Sequence, residues 1–284
     1  MGKYRKLLVA IDGSGPSLHA LKESFKLAAH EKCWITVCSV VPQYEGDLEL
    51  ISITNIQSVM RQPCGKALAE AAAMAKNSGA LIKTVCEEGE VYKRIIDLAE
   101  AENCDLIIMG RTGHHTLERR LIGSVAARVI GHSGIDVLVV PNGSSIGWER
   151  ILIATDGSGY SNAATMKALD FAQSYGSALS VVSVVDVPPE FYAEAPDAVE
   201  GMINKARSYV EEVRQRAEAA GIKVDAYVKE GEVYEMIVGV ALENKIDMMI
   251  MGSHGRTGLK RLLMGSVAEK VIGHAPCPVL VARL

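Results

Sequence analysis

Short apolar runs alternate along this chain with longer stretches in which apolar positions recur every three or four residues. In the first half the runs are KLLVAI, WITVCSVV, ALIKTVC, DLIIMG and DVLVVP; in the second they are RILIAT, ALSVVSVV, IKVDAYV, DMMIMG and CPVLVA. Runs this short and this rich in Val and Ile predict strands covered on both faces. Between them lie segments such as RSYVEEVRQRAEAAG, Arg207 to Gly221, with helical spacing and a final glycine suited to a C-cap. Strand and helix in strict alternation imply right-handed crossovers, hence an open parallel sheet with helices on both faces. Each half is expected to hold five strands and about four helices. Ligands of such sheets sit beyond the carboxyl ends of the strands, near the point where strand order reverses.

The two halves repeat one another. LLVAIDGSG at Leu7 matches ILIATDGSG at Ile151, EGEVY at Glu88 matches EGEVY at Glu230, and GSVAARVIGH at Gly123 matches GSVAEKVIGH at Gly265. The offset is 144 residues for the first pair and 142 for the others, so the second copy has a net deletion of two before EGEVY. A period of this size is that of a domain, far longer than the units of solenoids or propellers. Two domains are therefore expected, at 1–142 and 148–284, with residues 143–147 as a linker inside the Gly- and Ser-rich NGSSIGWER. A length of 284 residues agrees with that count at roughly 150 residues per domain.

Composition narrows the function classes. With 30 basic and 34 acidic side chains, the net charge of -4 speaks against sequence-independent nucleic-acid binding, which draws on phosphate neutralisation. No apolar run approaches the roughly 20 residues that cross a bilayer, and MGKYRKLLVAIDG is too short in its apolar part for a signal peptide. A cytoplasmic protein is expected. The six cysteines (Cys33, Cys38, Cys64, Cys86, Cys104, Cys277) form no Cys-x-x-Cys pair and no metal-spaced cluster with His. In a reducing compartment they are expected to be buried or incidental thiols without function.

The candidate chemistry stands at the strand ends. The first strand of each half runs into Asp-Gly-Ser, at Asp12 and at Asp156. Asp and Ser here suit a helix cap, and a carboxylate at the carboxyl edge of the sheet also suits a ribose hydroxyl or a base amino group. The fourth strands run into MGRTGHHTLERRLIGSV (Met109 to Val125) and MGSHGRTGLKRLLMGSV (Met251 to Val267). Both have the spacing G-x-x-G, nine residues, G-S, although the nine residues differ. Gly110 and Gly113, like Gly252 and Gly255, let backbone approach a ligand closely. Gly123-Ser124 and Gly265-Ser266 open a helix whose free amides and dipole favour an anion. A Gly→Val change at Gly110 or Gly252 is accordingly expected to block phosphate approach. Arg119, Arg120, Lys260 and Arg261 add positive charge, or form a solvated loop face. His114, His115 and His254 fit exposed loop residues, and His132 and His274 fit helix C-termini.

Asp-Gly-Ser at the first strand, the G-x-x-G, nine-residue, G-S spacing and the closing CPVLVA together resemble the universal stress protein family, once in each half and so over essentially the whole chain. The resemblance implies two tandem α/β domains of Rossmann-like, adenine nucleotide alpha hydrolase-like type. Each would have an open five-stranded parallel sheet in the order 3-2-1-4-5, with domains pairing through their last strands as an intrachain pseudo-dimer and a homodimer as the next level of assembly. It further implies ATP, ADP or AMP as ligand, with Mg2+, one nucleotide per repeat. Carried over by position, Asp12 and Asp156 would lie by adenine and ribose, and Val40 and Val184 would offer backbone groups to the base. Met109, Gly110, Gly113, Gly123, Ser124 and Val125 would hold ribose and phosphates in the first repeat. Met251, Gly252, Gly255, Gly265, Ser266 and Val267 would do so in the second. The segments after the second strands, PQYEGDLELISITNIQ and DVPPEFYAEAPD, differ in length and character, so unequal occupancy of the two sites is expected.

Turnover needs more than a cradle. There is no G-x-x-x-x-G-K-[ST], and Glu118 in the first loop is matched by Lys260 in the second. A nucleotide-binding regulatory protein with an unidentified protein partner is thus the leading expectation. A slow ATPase and a scaffold that binds nothing are the alternatives. A phospho-receiver would want an Asp ending the third strand and a Lys ending the fifth, where this chain has TVCEEGE and VVPNG.

Overall fold

The structure is a computed structural model in which residues 3–43, 56–113, 122–256 and 264–283 are described. The chain forms two compact units that divide between Gly143 and Ser144. The first unit runs β1 (Lys6–Ala10), α1 (Gly15–Glu31), β2 (Trp34–Pro42), α2 (Ile56–Ser78), β3 (Ile82–Gly89), α3 (Val91–Ala101), β4 (Leu106–Gly110), α4 (Ser124–His132) and β5 (Asp136–Val140). Its strands lie side by side in the order β3-β2-β1-β4-β5, and every pairing between them is parallel. The second unit runs β6 (Arg150–Ala154), α5 (Gly159–Tyr175), β7 (Ala178–Val185), α6 (Glu190–Glu194), α7 (Pro196–Ala219), β8 (Val224–Glu230), α8 (Val233–Glu243), β9 (Met248–Gly252), α9 (Ser266–His274) and β10 (Val279–Ala282). Its order is β8-β7-β6-β9-β10, again parallel throughout. Each sheet thus has the 3-2-1-4-5 order, with the reversal beside its first strand.

The inner strands are apolar on both faces because helices cover both faces. Leu7, Leu8, Ile107 and Leu138 in the first unit, and Ile151, Leu152 and Ile153 in the second, have no accessible surface. Each such side chain contributes about 2 kcal/mol relative to exposure. The outer strands depart from the expectation of two covered faces: β3 and β8 are largely half-exposed or exposed along their length. They stand at a sheet edge with a neighbour on one side only, which is why their sequences carry Lys, Glu and Asp among the apolar positions. The helix expected at Arg207 begins earlier, at Pro196, and Gly221 lies just beyond its end with φ +73°.

One expectation about the cysteines is corrected. Cys64 on α2 and Cys86 on β3 form a disulfide, with Cα atoms 6.3 Å apart at a sequence separation of 22. Packing of α2 over the outer strands brings them together, and no spacing rule flags such a pair. The buried thiols behave as expected of core residues. Burial pushes Cys38 and Cys277 up to about 12 and Cys104 up to about 11, which leaves them protonated and unreactive.

Candidate functional site

The turn after the first strand of each unit is built the same way. Glycine at its centre takes a positive φ, +83° at Gly13 and +75° at Gly157. That conformation returns the chain so that the preceding carboxylate accepts from the following serine amide: Ser14 N–H donates to Asp12 Oδ1 at 2.9 Å, and Ser158 N–H to Asp156 Oδ1 at 3.0 Å. The serines then cap the helices, Ser14 Oγ accepting from Ser17 N–H and Ser158 Oγ from Ser161 N–H. Capping thus falls to the serine, and the second carboxylate oxygen turns toward the loop after the fourth strand. In the second unit Arg256 N–H donates to Asp156 Oδ2 at 2.8 Å.

The glycines of the loop have two different jobs. A Cβ on Gly113 would stand 2.5 Å from Asp12 Oδ2, and one on Gly255 would stand 2.7 Å from Asp156 Oδ2. These two glycines make room for the carboxylate. A Cβ on Gly110 would meet the backbone of Pro16 at 2.9 Å, and one on Gly252 the backbone of Tyr160 at 2.8 Å. Spacing alone gives Gly110 and Gly252 to ligand approach. Their geometry gives the bare Cα to the seating of α1 on β4 and of α5 on β9, so a valine there strikes a helix before it reaches any ligand.

The last helix of each unit starts without a cap. Gly123 and Gly265 occupy the N-cap positions, and neither can offer a side-chain acceptor to the first turn. The opening amides of α4 and α9 have no acceptor within their helices, in contrast to the serine-capped α1 and α5. They open onto a cavity in each unit. The sixteen residues carried over by position all line these two cavities, eight in each: Asp12, Val40, Met109 and the glycines with Ser124 and Val125 in one, and their counterparts from Asp156 to Val267 in the other. Apolar lining comes from Val91 and Ile95 in the first unit and from Val233 and Ile237 in the second.

The cavities differ in size, about 600 Å³ in the second unit and about 160 Å³ in the first. Drug-sized ligands occupy pockets of about 300–1,000 Å³, so only the second falls in that range. Two substitutions between the copies account for the direction of the difference. Ile11 stands where the second unit has the smaller Thr155, and the long Arg111 lines the first cavity where its counterpart Ser253 is buried away from the second. Burial also lowers the pKa of Arg111.

Several side chains lining the cavities were not singled out from sequence. Val233 and Ile237 come from the repeated EGEVY segment and the helix that follows it, and that segment has a second task. Tyr234 packs on His274 at 4.8 Å and Glu232 pairs with Lys270 at 2.8 Å, tying α8 to α9. Tyr92 with His132, and Glu90 with Arg128, do the same for α3 and α4. His132 and His274 close their helices, each ring nitrogen within 3 Å of the carbonyl four residues back. His254 lines the second cavity, its Nδ1 3.0 Å from Ser253 Oγ and its ring against Tyr160. His114, His115, Glu118, Arg119, Arg120, Lys260 and Arg261 lie outside the described residues, as does most of the segment after β2.

Relatives share this architecture. The sequence model of the Universal stress protein family matches the chain twice, at residues 3–141 and 147–283. The chain belongs to the universal stress protein family. Universal stress protein MJ0531 of Methanocaldococcus jannaschii is 35% identical over 149 residues, covering 51% of this chain and 87% of that one. Universal stress protein Rv2005c of Mycobacterium tuberculosis is 27% identical over 301 residues, covering 100% of this chain and 99% of that one, so the tandem form has a full-length counterpart. The crystal structure of a universal stress protein from Archaeoglobus fulgidus superposes with a TM-score of 0.74 at 22% identity, covering 99% of this chain and 97% of that one. This likeness is one of fold. Among the described residues of this universal stress protein no helix is long and apolar enough to cross a membrane, and no group of three or more His, Cys, Asp or Glu side chains could hold a metal ion.

Asp156 gives the site a measurable electrostatic signature. Burial opposes its ionisation, but hydrogen bonds from Ser158, from the Arg256 amide and from Ser161 outweigh that and hold its pKa below the usual carboxylate value. A carboxyl depressed on folding stabilises the native state above its unfolded pKa of about 3.9, and that contribution is lost as pH falls through the native value. Asp156→Asn, which turns an NH₂ toward one of the donating amides, is expected to cost about 1–3 kcal/mol at neutral pH. In urea unfolding at stepped pH the gap between wild type and variant should narrow as pH falls below the unfolded carboxyl value and through the lower native one. A gap independent of pH would mean that the carboxylate charge contributes nothing.

Proposed function

We propose that this universal stress protein is an adenine-nucleotide-binding regulatory protein whose principal site is the cavity of the second repeat. The observation that carries this reading is the junction, in one cavity of about 600 Å³, of an uncapped helix N-terminus with an apolar slot and a carboxylate. A nucleotide has the matching three parts. Its phosphates would take the amides opening α9, a ribose hydroxyl would donate to a free lone pair of Asp156, and the base would enter between Val182, Val184, Val233 and Ile237. A Mg2+ ion would arrive on the phosphates, since such ions are usually held by phosphate and water with few protein ligands. The first repeat has the same parts around a smaller space, and would bind the same ligand more weakly.

Binding rather than turnover is the reading favoured by the ionisable groups. Among the described residues lining the second cavity these are Asp156, Asp186, His254 and Arg256. The Asp156 carboxylate is already committed to backbone amides and is held ionised, which suits an acceptor better than a proton shuttle. Isothermal titration of the whole chain with ATP, ADP and AMP is expected to show one site per chain, with a second at least roughly ten-fold weaker. Absence of heat with all three nucleotides would remove the proposal, and two equal sites would remove the ranking of the repeats.

A further inference from the structure

Arg256 follows the second glycine of the G-x-x-G loop and is fixed at three points. Its backbone N–H donates to Asp156 Oδ2 at 2.8 Å, its Nη1 donates to the Tyr209 hydroxyl at 3.1 Å, and its guanidinium lies 5.8 Å from the centre of the Tyr209 ring. Tyr209 reaches over from α7 and is itself fixed, because its ring fills the space above Gly157. A Cβ on that glycine would stand 2.2 Å from the ring. The three segments form a closed clasp: the Asp156-Gly157 turn, α7 and the loop after β9. Arg256 also lines the cavity, on the same loop as the glycines that lead to the amides of α9.

The residues of this clasp are not repeated in the first half of the sequence. At an offset of 142 residues Tyr209 corresponds to Ala67 and Arg256 to His114. At those two positions the first repeat has neither the tyrosine ring nor a guanidinium. Asp156 is engaged through the Arg256 backbone, and the Arg256 side chain makes no ion pair with a carboxylate among the described residues, while Arg256 lines the same cavity as the helix start.

Resting on the nucleotide reading above, we propose that Arg256, held by Tyr209, is a specificity-determining residue that recognises the polyphosphate of a nucleoside di- or triphosphate in the second repeat. Planar Arg forks make charge-assisted, paired hydrogen bonds to phosphate. Such a group discriminates by the number of phosphates and contributes nothing to the nucleoside. The test is titration of the full chain with ATP, ADP, AMP and adenosine, for wild type, Arg256→Gln, Arg256→Lys and Tyr209→Phe. Arg256→Gln keeps the backbone bond to Asp156, and its melting temperature should match wild type. It is expected to lose roughly ten-fold in affinity for ATP while adenosine affinity stays unchanged. Arg256→Lys should recover part of the loss, and Tyr209→Phe, which keeps the ring over Gly157, should lose less than Arg256→Gln and again only for phosphorylated ligands. Equal losses for ATP and adenosine would assign Arg256 to shaping the Asp156 turn and overturn the proposal. Unchanged ATP affinity in Arg256→Gln overturns it while leaving the nucleotide reading intact. If wild type itself binds none of the four, both fall together.

Discussion

Gly252→Val is expected to destabilise the second repeat by about 3 kcal/mol or more, the upper end of what overpacking usually costs. The cost is that high because the obstacle is backbone. An added Cβ would lie 2.8 Å from the Tyr160 carbonyl carbon and 2.9 Å from its oxygen, at the start of α5. A side chain in the way could rotate, but a helix backbone has to move as a body, taking its seat on β9 with it. Gly110→Val should do the same in the first repeat, where Pro16 C and O are each 2.9 Å from the added atom. Gly159→Ala makes the control, since nothing lies within 4 Å of its Cβ. The measurement is urea or thermal unfolding followed by circular dichroism. Were Gly252→Val to unfold with wild type, the tight seating of α5 on β9 would be wrong. A loss of ATP binding in this variant says nothing about phosphate approach, so the binding site has to be probed elsewhere.

What the sequence made legible, and what it left hidden, divides along a physical line. Strand and helix placement were legible because a parallel strand buried on both faces must be an unbroken apolar run, as in LIIM or VLVV, and because the copies state each motif twice, whereas the order 3-2-1-4-5 came from the resemblance to the universal stress protein family. The positions that line the two cavities came from the repeated motifs and, for Val40 and Val184, from the family resemblance. The role of each glycine was not, because spacing shows that a Cβ is missing and not what it would have struck: a helix at Gly252, a carboxylate at Gly255. The half-exposed edge strands β3 and β8 were misjudged, since their place at the edge follows from the order in which strands pair. The Cys64–Cys86 bridge and the Tyr209–Arg256 clasp join residues remote in sequence, and only the packing of α2 and α7 brings them together. The unequal cavities depend on Ile11 against Thr155 and on where Arg111 is directed, differences of a few atoms that no motif contains.

Ser266→Asp separates folding from binding more sharply than any glycine variant. Ser266 is the first residue of α9 and is exposed, behind a glycine N-cap with no side-chain acceptor. A carboxylate there complements the helix dipole and is expected to leave stability unchanged or raise it by about 0.3–1 kcal/mol. The same carboxylate would take the place proposed for the phosphates. Two unit charges at about 4 Å interact by roughly 4 kcal/mol at an effective dielectric constant near 20, so ATP affinity in the second repeat should fall about a hundred-fold or more. Adenosine, which carries no charge, should bind almost as well as before. Ser124→Asp sets the same charge at the start of α4, beside the smaller cavity, and should leave the tighter ATP site untouched. Titration of both variants with ATP and adenosine reads the whole pattern. If Ser266→Asp binds ATP like wild type, the phosphates do not lie at the start of α9. If Ser124→Asp abolishes the tight site instead, the principal site belongs to the first repeat, and cavity size has ranked the two repeats wrongly.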